Sequence, residues 1–548
     1  MKITRTIEHD ISPSELIDLF LADRGITDSA SFLNPTSPKD LIFSDFFENK
    51  KEFEKNKKLT LKLLRDIKKS GRTIVVYCDY DADGITGGAI LWETLNHLGF
   101  SVMPYIPDRK TEGYGFSKKG IDAVITKHDP ALIISVDHGI VGHSQIEYAK
   151  EKGVKVIITD HHQKADTNPP AAYAIFHTSK LSGSGVSYFF SREIARELGA
   201  DTDLLTHFES DFLALAAIGT IADLVPLVGP SRAVAKYGLA AFATVQKKGL
   251  KALLKECALD GKMIKTYEVG FMIAPRINAF GRLEHGMDAL RLLCTKSLEK
   301  AVLLAKKANM INSLRQDLVK KACDEALEMV DPEASILIVA GDSWEEGIMG
   351  LIAGKIVQKY GKPAIVKAKN GTMYKASARA PEGYDLISFL RNSSDQYLSI
   401  GGHPGAAGFS IEVKKYKKFV TDLQKNAKKE FANVSDVGKT IDLQIPLSLA
   451  TTELALLLET LEPFGMGHQS PLFMSVGRIV NKKLMGKNST HMKLWIADDA
   501  GGALEVMHFN VEKKQSDDYS KDSEISFVYN LESNTWGGRT KAVGKIVV

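Results

Sequence analysis

Cysteine is scarce: the 548 residues contain four, Cys78, Cys257, Cys294 and Cys323. None forms a C-x-x-C pair, so neither a disulfide framework nor a zinc knuckle has support. An excess of one charge is also missing. Lys+Arg 71 against Asp+Glu 67 leaves a net charge of +4, so any nucleic-acid surface must be a local patch. The opening residues, MKITRTIEHD, lack an apolar core, so no signal peptide is expected. The uncharged apolar stretch from Phe212 to Ala222 falls short of the roughly 18 residues a membrane helix needs. Internal repeats and low-complexity tracts are absent. These absences lead to the expectation of a soluble cytoplasmic protein with no membrane association. What is present is ordinary globular composition, 44% hydrophobic and 25% charged, which excludes wholesale disorder, a collagen or a coiled coil. The length suggests three or four domains at roughly 150 residues each.

Residues 14–45 read as a small helical lead, SELIDLFLADRGI, broken by Asn34-Pro35 and Ser37-Pro38. A βαβ series follows. RTIVVYCDYD, SVMPYIP, ALIISVDHG and VKVIITDHH read as strands, with helical text such as ITGGAILWETLNHLG and SQIEYAKEKG between them. Strands alternating with helices imply a mostly parallel, buried sheet. The run from Ser297 to Val330 has helical period and few breakers, and reads as a long connector between lobes. A second α/β unit starts at ASILIVAGDSW and ends near 430. From about 438 the text changes to a Pro/Gly-rich entry, ETLEPFGMGHQSPLF, and then to short alternating strands. That pattern suggests a small β-barrel such as an OB-fold.

Three of the strands end in acids: Asp79, Asp81 and Asp83; Asp137; and Asp160 with His161 and His162. Parallel-sheet proteins place their sites at the carboxyl ends of strands, so these side chains are expected to converge. Crowded carboxylates repel or protonate unless something positive neutralises them. Oxygen ligands with one or two imidazoles suit Mn²⁺ or Mg²⁺ better than zinc. Asp223, inside the apolar AAIGTIADLVPL, is costly to bury alone and is expected to share a cation. A lone acid after a strand is more often a turn or cap residue. Asp79 to Gly84 also has the look of a calcium loop, but the spaced Glu of an EF-hand is missing and a strand precedes it. The three clusters taken together favour metal.

DYDADG, VDHG, DHH and ADLVPL occur in this order and resemble the DHH phosphoesterase superfamily. PDRKTEGYGFS, APRINAFGRLEH, KASARAPEGYDL, SIGGHPGAAGFS, EPFGMGHQSPLF and GKNSTHMKL are similar to the RecJ single-strand-specific exonucleases. The likeness runs over nearly the whole chain, from LADRGITDSASFLNP onward. It implies a multidomain α/β hydrolase with two divalent metal ions, Mn²⁺ or Mg²⁺. Its parts would be an N-terminal helical lead (1–45), a parallel-sheet DHH catalytic domain (46–295) and a connector helix (296–331). A DHH-associated substrate-gripping domain (332–432) and a C-terminal OB-like β-barrel (438–548) would follow. By resemblance Asp81, Asp83, Asp137, His161 and Asp223 are metal ligands, with Asp137 bridging. Asp79 is an additional ligand or stands behind one. Asp160 is expected to orient His161, and His162 to sit by the scissile phosphate, so these two carry the catalytic label. His138 departs from the family's Cys or Asn and is read as a neighbour of the metals.

Gly401, Gly402 and His403, with Ser377 and Arg379, resemble the element that grips the substrate's 5′ end. Glycines let a backbone approach phosphate, and arginine pairs with phosphate in bidentate fashion. Arg276 and Arg282 are expected to contact the DNA backbone, or, for Arg276, to pair with a buried carboxylate. In the barrel Arg478, Lys482, Lys483, Lys487, His491 and Lys493 interleave with Phe473, Trp495, Phe509 and Trp536, the mixture with which OB-folds track and stack single strands. Phe473 and Trp495 are read as barrel core, and Trp536 as the stacking residue. The implied activity is a 5′→3′ exonuclease on single-stranded DNA, releasing 5′-mononucleotides in repair and recombination. A monomer is expected, with a single-strand-binding protein and a helicase as candidate partners. The rivals are a DHH phosphodiesterase of short oligonucleotides or cyclic dinucleotides, a pyrophosphatase, and a replication scaffold that has lost its metal ligands. The first two have no need of a barrel, and here every acid position is filled. The Pro/Gly-rich boundary leads to a further expectation: that the chain from 438 folds separately and can be removed without opening the catalytic core.

Overall fold

A computed structural model describes residues 2–7, 11–164, 168–431, 440–486, 490–511 and 519–547. Lys487 and the side chain of His403 lie outside what is described. The strand β1 (Lys2–Thr6) opens the chain. β2 (Ile74–Cys78), β3 (Val102–Tyr105), β4 (Leu132–Val136), β5 (Lys155–Asp160) and β6 (Ala174–His177) form one sheet. β7 (Leu337–Ala340), β8 (Ala364–Asn370), β9 (Met373–Arg379), β10 (Tyr397–His403) and β11 (Ala406–Glu412) form a second. β12 (Thr440–Gln444), β13 (Phe473–Met485), β14 (His491–Ala497), β15 (Ala503–His508), β16 (Glu524–Trp536) and β17 (Arg539–Ile546) join β1 in a third. The chain divides into two compact units. The larger holds Ser37–Val225 and Ala233–Val437; the smaller holds Met1–Thr36, Pro226–Arg232 and Gly438–Val548.

In the larger unit the first sheet runs β3-β2-β4-β5-β6 and is parallel throughout. Every residue of β2 and β4 is buried, which is why IVVYC and LIISV are unbroken apolar runs: helices cover both faces. The order reverses between β2 and β4, and a crevice opens at such a switch point. Register puts Cys78 beside Val136 and Val136 beside Thr159. Asp79, Asp137 and Asp160 therefore leave the sheet at one level, on its carboxyl edge. The apolar stretch noted above is a core helix, Asp211–Ala222, in which every residue up to Ile221 is buried.

The connector is a single helix, Leu298–Met329, of 32 residues. Ala301, Ala305, Ala308, Ala322 and Ala326 are buried on it at helical spacing. The second sheet, β10-β11-β9-β8-β7, is mixed: β7 and β8 run parallel and the other pairs antiparallel.

In the smaller unit β13, β14, β15, β17 and β16 pair in turn, and β16 closes back on β13. The result is a five-stranded ring with β15 and β17 parallel. Two expectations are corrected here. The lead is not only helical: β1 pairs in parallel with β12, Lys2 beside Thr440. Its helix Pro13–Asp23, capped by Ser12 and Glu15, buries Leu16, Ile17, Phe20 and Leu21 in one core with Leu443, Leu454, Leu458 and Phe473. Nor does 438–548 complete its own core. Arg232, 1% exposed, donates to the carbonyls of Phe32, Leu461, Glu462 and Pro463. The Leu227 amide donates to the Met466 carbonyl at 2.8 Å. Three separate stretches of sequence are needed to fill one interior.

Candidate active site

Asp81 caps the helix Ala82–His97, accepting from the Asp83 and Gly84 amides at 3.0 Å. Asn278 accepts from the Ala82 amide at 2.7 Å, so the APRINAFGR helix braces the acid loop. Asp83, 1% exposed, accepts from the amides of Gly183 at 2.6 Å and Ser184 at 2.9 Å. Those amides open the helix Gly183–Glu197, where a carboxylate is favoured. A Cβ at Gly183 would collide with the Asp137 carboxylate, and one at Gly219 with that of Asp83. These glycines make room for the acids.

Asp137 has φ 68°, a left-handed conformation that Asp tolerates better than most residues. Its amide donates to the Thr159 carbonyl at 3.0 Å, and its carbonyl accepts from the Tyr114 hydroxyl at 3.1 Å. Two acid groups meet at it. Asp79, Asp81 and Asp137 bring carboxylate oxygens within 4.8 Å of one another. Asp83, His161 and Asp223 form a second group of ligand atoms within 4.8 Å, and Asp137, His161 and His162 a third, with His161 Nε2 3.1 Å from Asp137 and 3.3 Å from Asp223. Burial first, and then repulsion from neighbouring acids, pushes the carboxyls of Asp79, Asp81, Asp137 and Asp223 up from the ordinary range. Crowded, buried oxygen donors with one imidazole suit hard divalent cations.

Asp160 behaves in the opposite way. Despite burial, hydrogen bonds from His162, His161 and Ile140 hold its carboxyl well below the usual range. Its side chain accepts from the His161 amide and also grips the His162 ring, Nδ1 at 2.8 Å. Burial opposes charge on His162, but Asp160 outweighs it and the imidazole is pushed up to about 9. Tyr114, donating to Asp137, accepts from His162 Nε2 at 2.9 Å. His138 is a neighbour: its Nε2 donates to the Tyr77 carbonyl at 3.0 Å, and its ring packs edge-on against Tyr77 and Phe116.

Arginines gather beside the acids. Arg282 donates to the Gly347 carbonyl at 3.0 Å. Burial, then Arg109, Arg315 and Arg379, pushes its guanidinium down to about 10. Arg379 reaches the Ala378 carbonyl at 2.8 Å and lies near Ser377 Oγ at 3.4 Å; burial and Arg109 lower it too. Arg109 covers the Tyr80 ring at 4.1 Å. The Nε atoms of Arg109 and Arg315 are buried with no hydrogen-bond partner among the described residues. A Cβ on Gly350 would press on Arg379 at 2.7 Å. Arg276 is tied to Asn309 and to the Met272 carbonyl, so the alternative of a buried carboxylate partner is corrected. Gly401 and Gly402 lie on β10 and are exposed. Gly402, at φ 148°, is needed because a Cβ would strike Ala406 across the hairpin.

On the ring, Phe473 is fully buried and Trp536 is 85% exposed, at a hairpin whose glycines, Gly537 and Gly538, have φ 57° and 77°. Trp495 is corrected: it alternates with the buried Met492, Leu494 and Ile496 and so faces outward, half-buried beneath Lys493. Sequence reading missed Tyr114, Arg109, Gly183, Ser184 and Arg315. The first two sit inside PDRKTEGYGFS, where an Arg and a Tyr in a Gly-rich loop were the available signal.

Comparison with known proteins follows the same divisions. Residues 73–220 match the DHH family N-terminal domain, 333–429 the DHHA1 domain and 441–546 the RecJ OB domain. The single-stranded-DNA-specific exonuclease RecJ of Bacillus subtilis is 32% identical over 98% of this chain and 68% of its own. That of Escherichia coli is 30% identical over 87% of each. The crystal structure of Thermus thermophilus RecJ with Mn²⁺ matches with a TM-score of 0.81 at 27% identity, over 100% of this chain and 79% of that one. With identity of this level along nearly its full length, the chain belongs to the RecJ family of single-stranded-DNA-specific exonucleases.

Proposed function

We propose that this protein is a two-metal exonuclease that degrades single-stranded DNA from its 5′ end and releases 5′-mononucleotides. The observation that supports the reading is the pair of acid groups, Asp79–Asp81–Asp137 and Asp83–His161–Asp223, linked by His161 Nε2 at 3.1 Å from Asp137, with an arginine cluster beside them. Asp79, Asp81 and Asp137 would hold one ion, and Asp83, His161, Asp223 and again Asp137 the other. Two ions held there would supply an activated water and charge stabilisation for the leaving oxygen of an in-line displacement. The chain's own groups do the rest. Asp160 fixes the His162 ring and its charge, and a phosphate oxygen that took the place of the Tyr114 hydroxyl would receive the proton on Nε2. Arg379, Arg282, Ser377, His403 and the backbone of Gly401 and Gly402 are assigned to the 5′-terminal phosphate. Arg276 supports that wall from behind. Trp536 stacks a base further along the strand. The direction rests on family resemblance. A cytoplasmic monomer that meets a single-strand-binding protein and a helicase is part of the same proposal.

End-labelled DNA and RNA oligomers, digested with and without Mn²⁺, test the activity; release of 3′-label first would overturn the direction. Arg379→Ala is expected to weaken 5′-phosphorylated substrates most, since a charge-assisted contact is worth about 1.5–3 kcal/mol, or roughly ten- to a hundred-fold. Equal losses on 5′-phosphate and 5′-hydroxyl ends would place Arg379 elsewhere on the strand. Asp160→Asn is expected to cut turnover about ten- to a hundred-fold while Mn²⁺ binding, followed by electron paramagnetic resonance, stays unchanged. Loss of Mn²⁺ in that variant would make Asp160 a ligand instead.

A further inference from the structure

Alternation along the five-stranded ring turns Met492, Leu494 and Ile496 of β14 inward and His491, Lys493 and Trp495 outward. On β15 Leu504 and Val506 are buried, while Glu505 and Met507 face out. Register joins the outward residues into rows that cross the strands. Lys483 of β13 stands opposite Lys493, Lys493 opposite Met507, and Met507 beside Lys545 of β17. The neighbouring row runs Asn481, Trp495, Glu505 and Val543. Like charges directly opposite one another destabilise a sheet, so Lys483 and Lys493 are a cost that an anion lying across the row would remove. Lys493 Nζ also lies 5.0 Å from the centre of the Trp495 ring. Cations beside aromatic faces are the means by which single strands are tracked and stacked. β14 and β15 are the second and third strands of the ring, the face on which OB-folds take oligonucleotides.

One acid stands in this face. Glu505 is the only carboxylate among the outward residues of β14 and β15. Both its oxygens face lysines, Oε2 towards Lys493 and Oε1 towards Lys541. A carboxylate bridging two ammonium groups does what a backbone phosphate would do there, presenting one negative charge through two oxygens. We infer that Glu505 is a resident competitor of the DNA backbone: a phosphate of the strand displaces it from Lys493 and Lys541 while a base stacks on Trp495. All three charged side chains are partly exposed, and ion pairs of that kind hold weakly. Displacement is therefore easy, and a grip with a built-in rival also lets go readily. The inference rests on the reading that the ring holds single-stranded DNA.

The test uses the full chain in a chelator, so that the strand is bound and not cut, with a long fluorescein-labelled oligothymidine. Glu505→Gln is expected to bind about three-fold tighter or more and to dissociate more slowly by a similar factor. Its log affinity should fall more steeply with log salt, by roughly 0.7 for each lysine released to the strand. Glu505→Thr removes the same charge with a residue suited to a strand, and should behave alike if Glu505→Gln does not fold. Trp495→Ala should weaken binding about five-fold or more. Lys493→Met combined with Lys541→Met should weaken it as well, and in that background Glu505→Gln should change nothing. Equal tightening with and without the two lysines would make Glu505 a general repulsive charge and overturn the displacement. If Trp495→Ala binds weakly while Glu505→Gln binds as wild type does, the competitor alone is wrong. If Trp495→Ala and the double lysine variant both bind as wild type does, the ring face holds no DNA, and the reading beneath the inference falls with it.

Discussion

Asp137→Asn is expected to bring hydrolysis below about a tenth of the wild-type rate, because on the proposed reading one substitution removes the carboxylate that both ions would share. Asparagine is the cleaner change, since it accepts φ near 68° where alanine is strained. The same variant should be more stable than wild type once metal is stripped. Asp79, Asp81, Asp137 and Asp223 are all held above the ordinary carboxylate range. An acid raised in this way favours folding fully below its unfolded pKa of about 4, and that contribution is lost as pH rises through the raised value. At neutral pH the metal-free site is therefore a load on the fold, and each acid removed lightens it. Calorimetry in a chelator at pH 7.5 should show a melting temperature about 1 °C higher for each kcal/mol relieved, the scale for a unit of this size. Mn²⁺ should stabilise wild type more than the variant. Retention of more than a tenth of the activity would end the shared role, and a lower metal-free melting temperature would make Asp137 structural.

Deleting residues from 438 onward is expected to destroy activity on a dinucleotide as thoroughly as on a long strand. The Pro/Gly-rich entry suggested a detachable module, but 438–548 shares its interior with residues 1–36 and 226–232. The deletion removes the parallel partner of β1 and the apolar floor under Leu16, Phe20 and Leu21. It also strips three carbonyl partners from the Arg232 guanidinium. The truncated chain should be insoluble or deficient in Mn²⁺. A soluble truncated chain that cleaves a dinucleotide at the wild-type rate would restore the modular picture.

The acids were legible because they obey a local rule: each follows a strand, and parallel strands bring their ends together. Asp79, Asp137 and Asp160 needed only the βαβ pattern. The grip of Asp160 on His162 was not legible, because adjacent histidines leave a strand end on different sides and only backbone geometry chooses between them. The strand Lys2–Thr6 was missed for another reason. KITRT carries five residues of weak alternation, and its partner lies beyond residue 439. Trp495 was misplaced inside because an aromatic among basic residues says nothing about which face of the pleat it occupies.

The pairing of Lys2 with Thr440 also imposes an order of events during synthesis. The first strand leaves the ribosome about 430 residues before its partner, roughly 20–90 s earlier at 5–20 residues per second. The catalytic sheet, by contrast, is complete by His177. A nascent chain thus carries its acids long before the segment that seats Pro226 and Leu227 exists. Until the strands from Thr440 onward are made, the helix Pro13–Asp23 has apolar residues with nothing to cover them, which makes it the stretch a chaperone would hold.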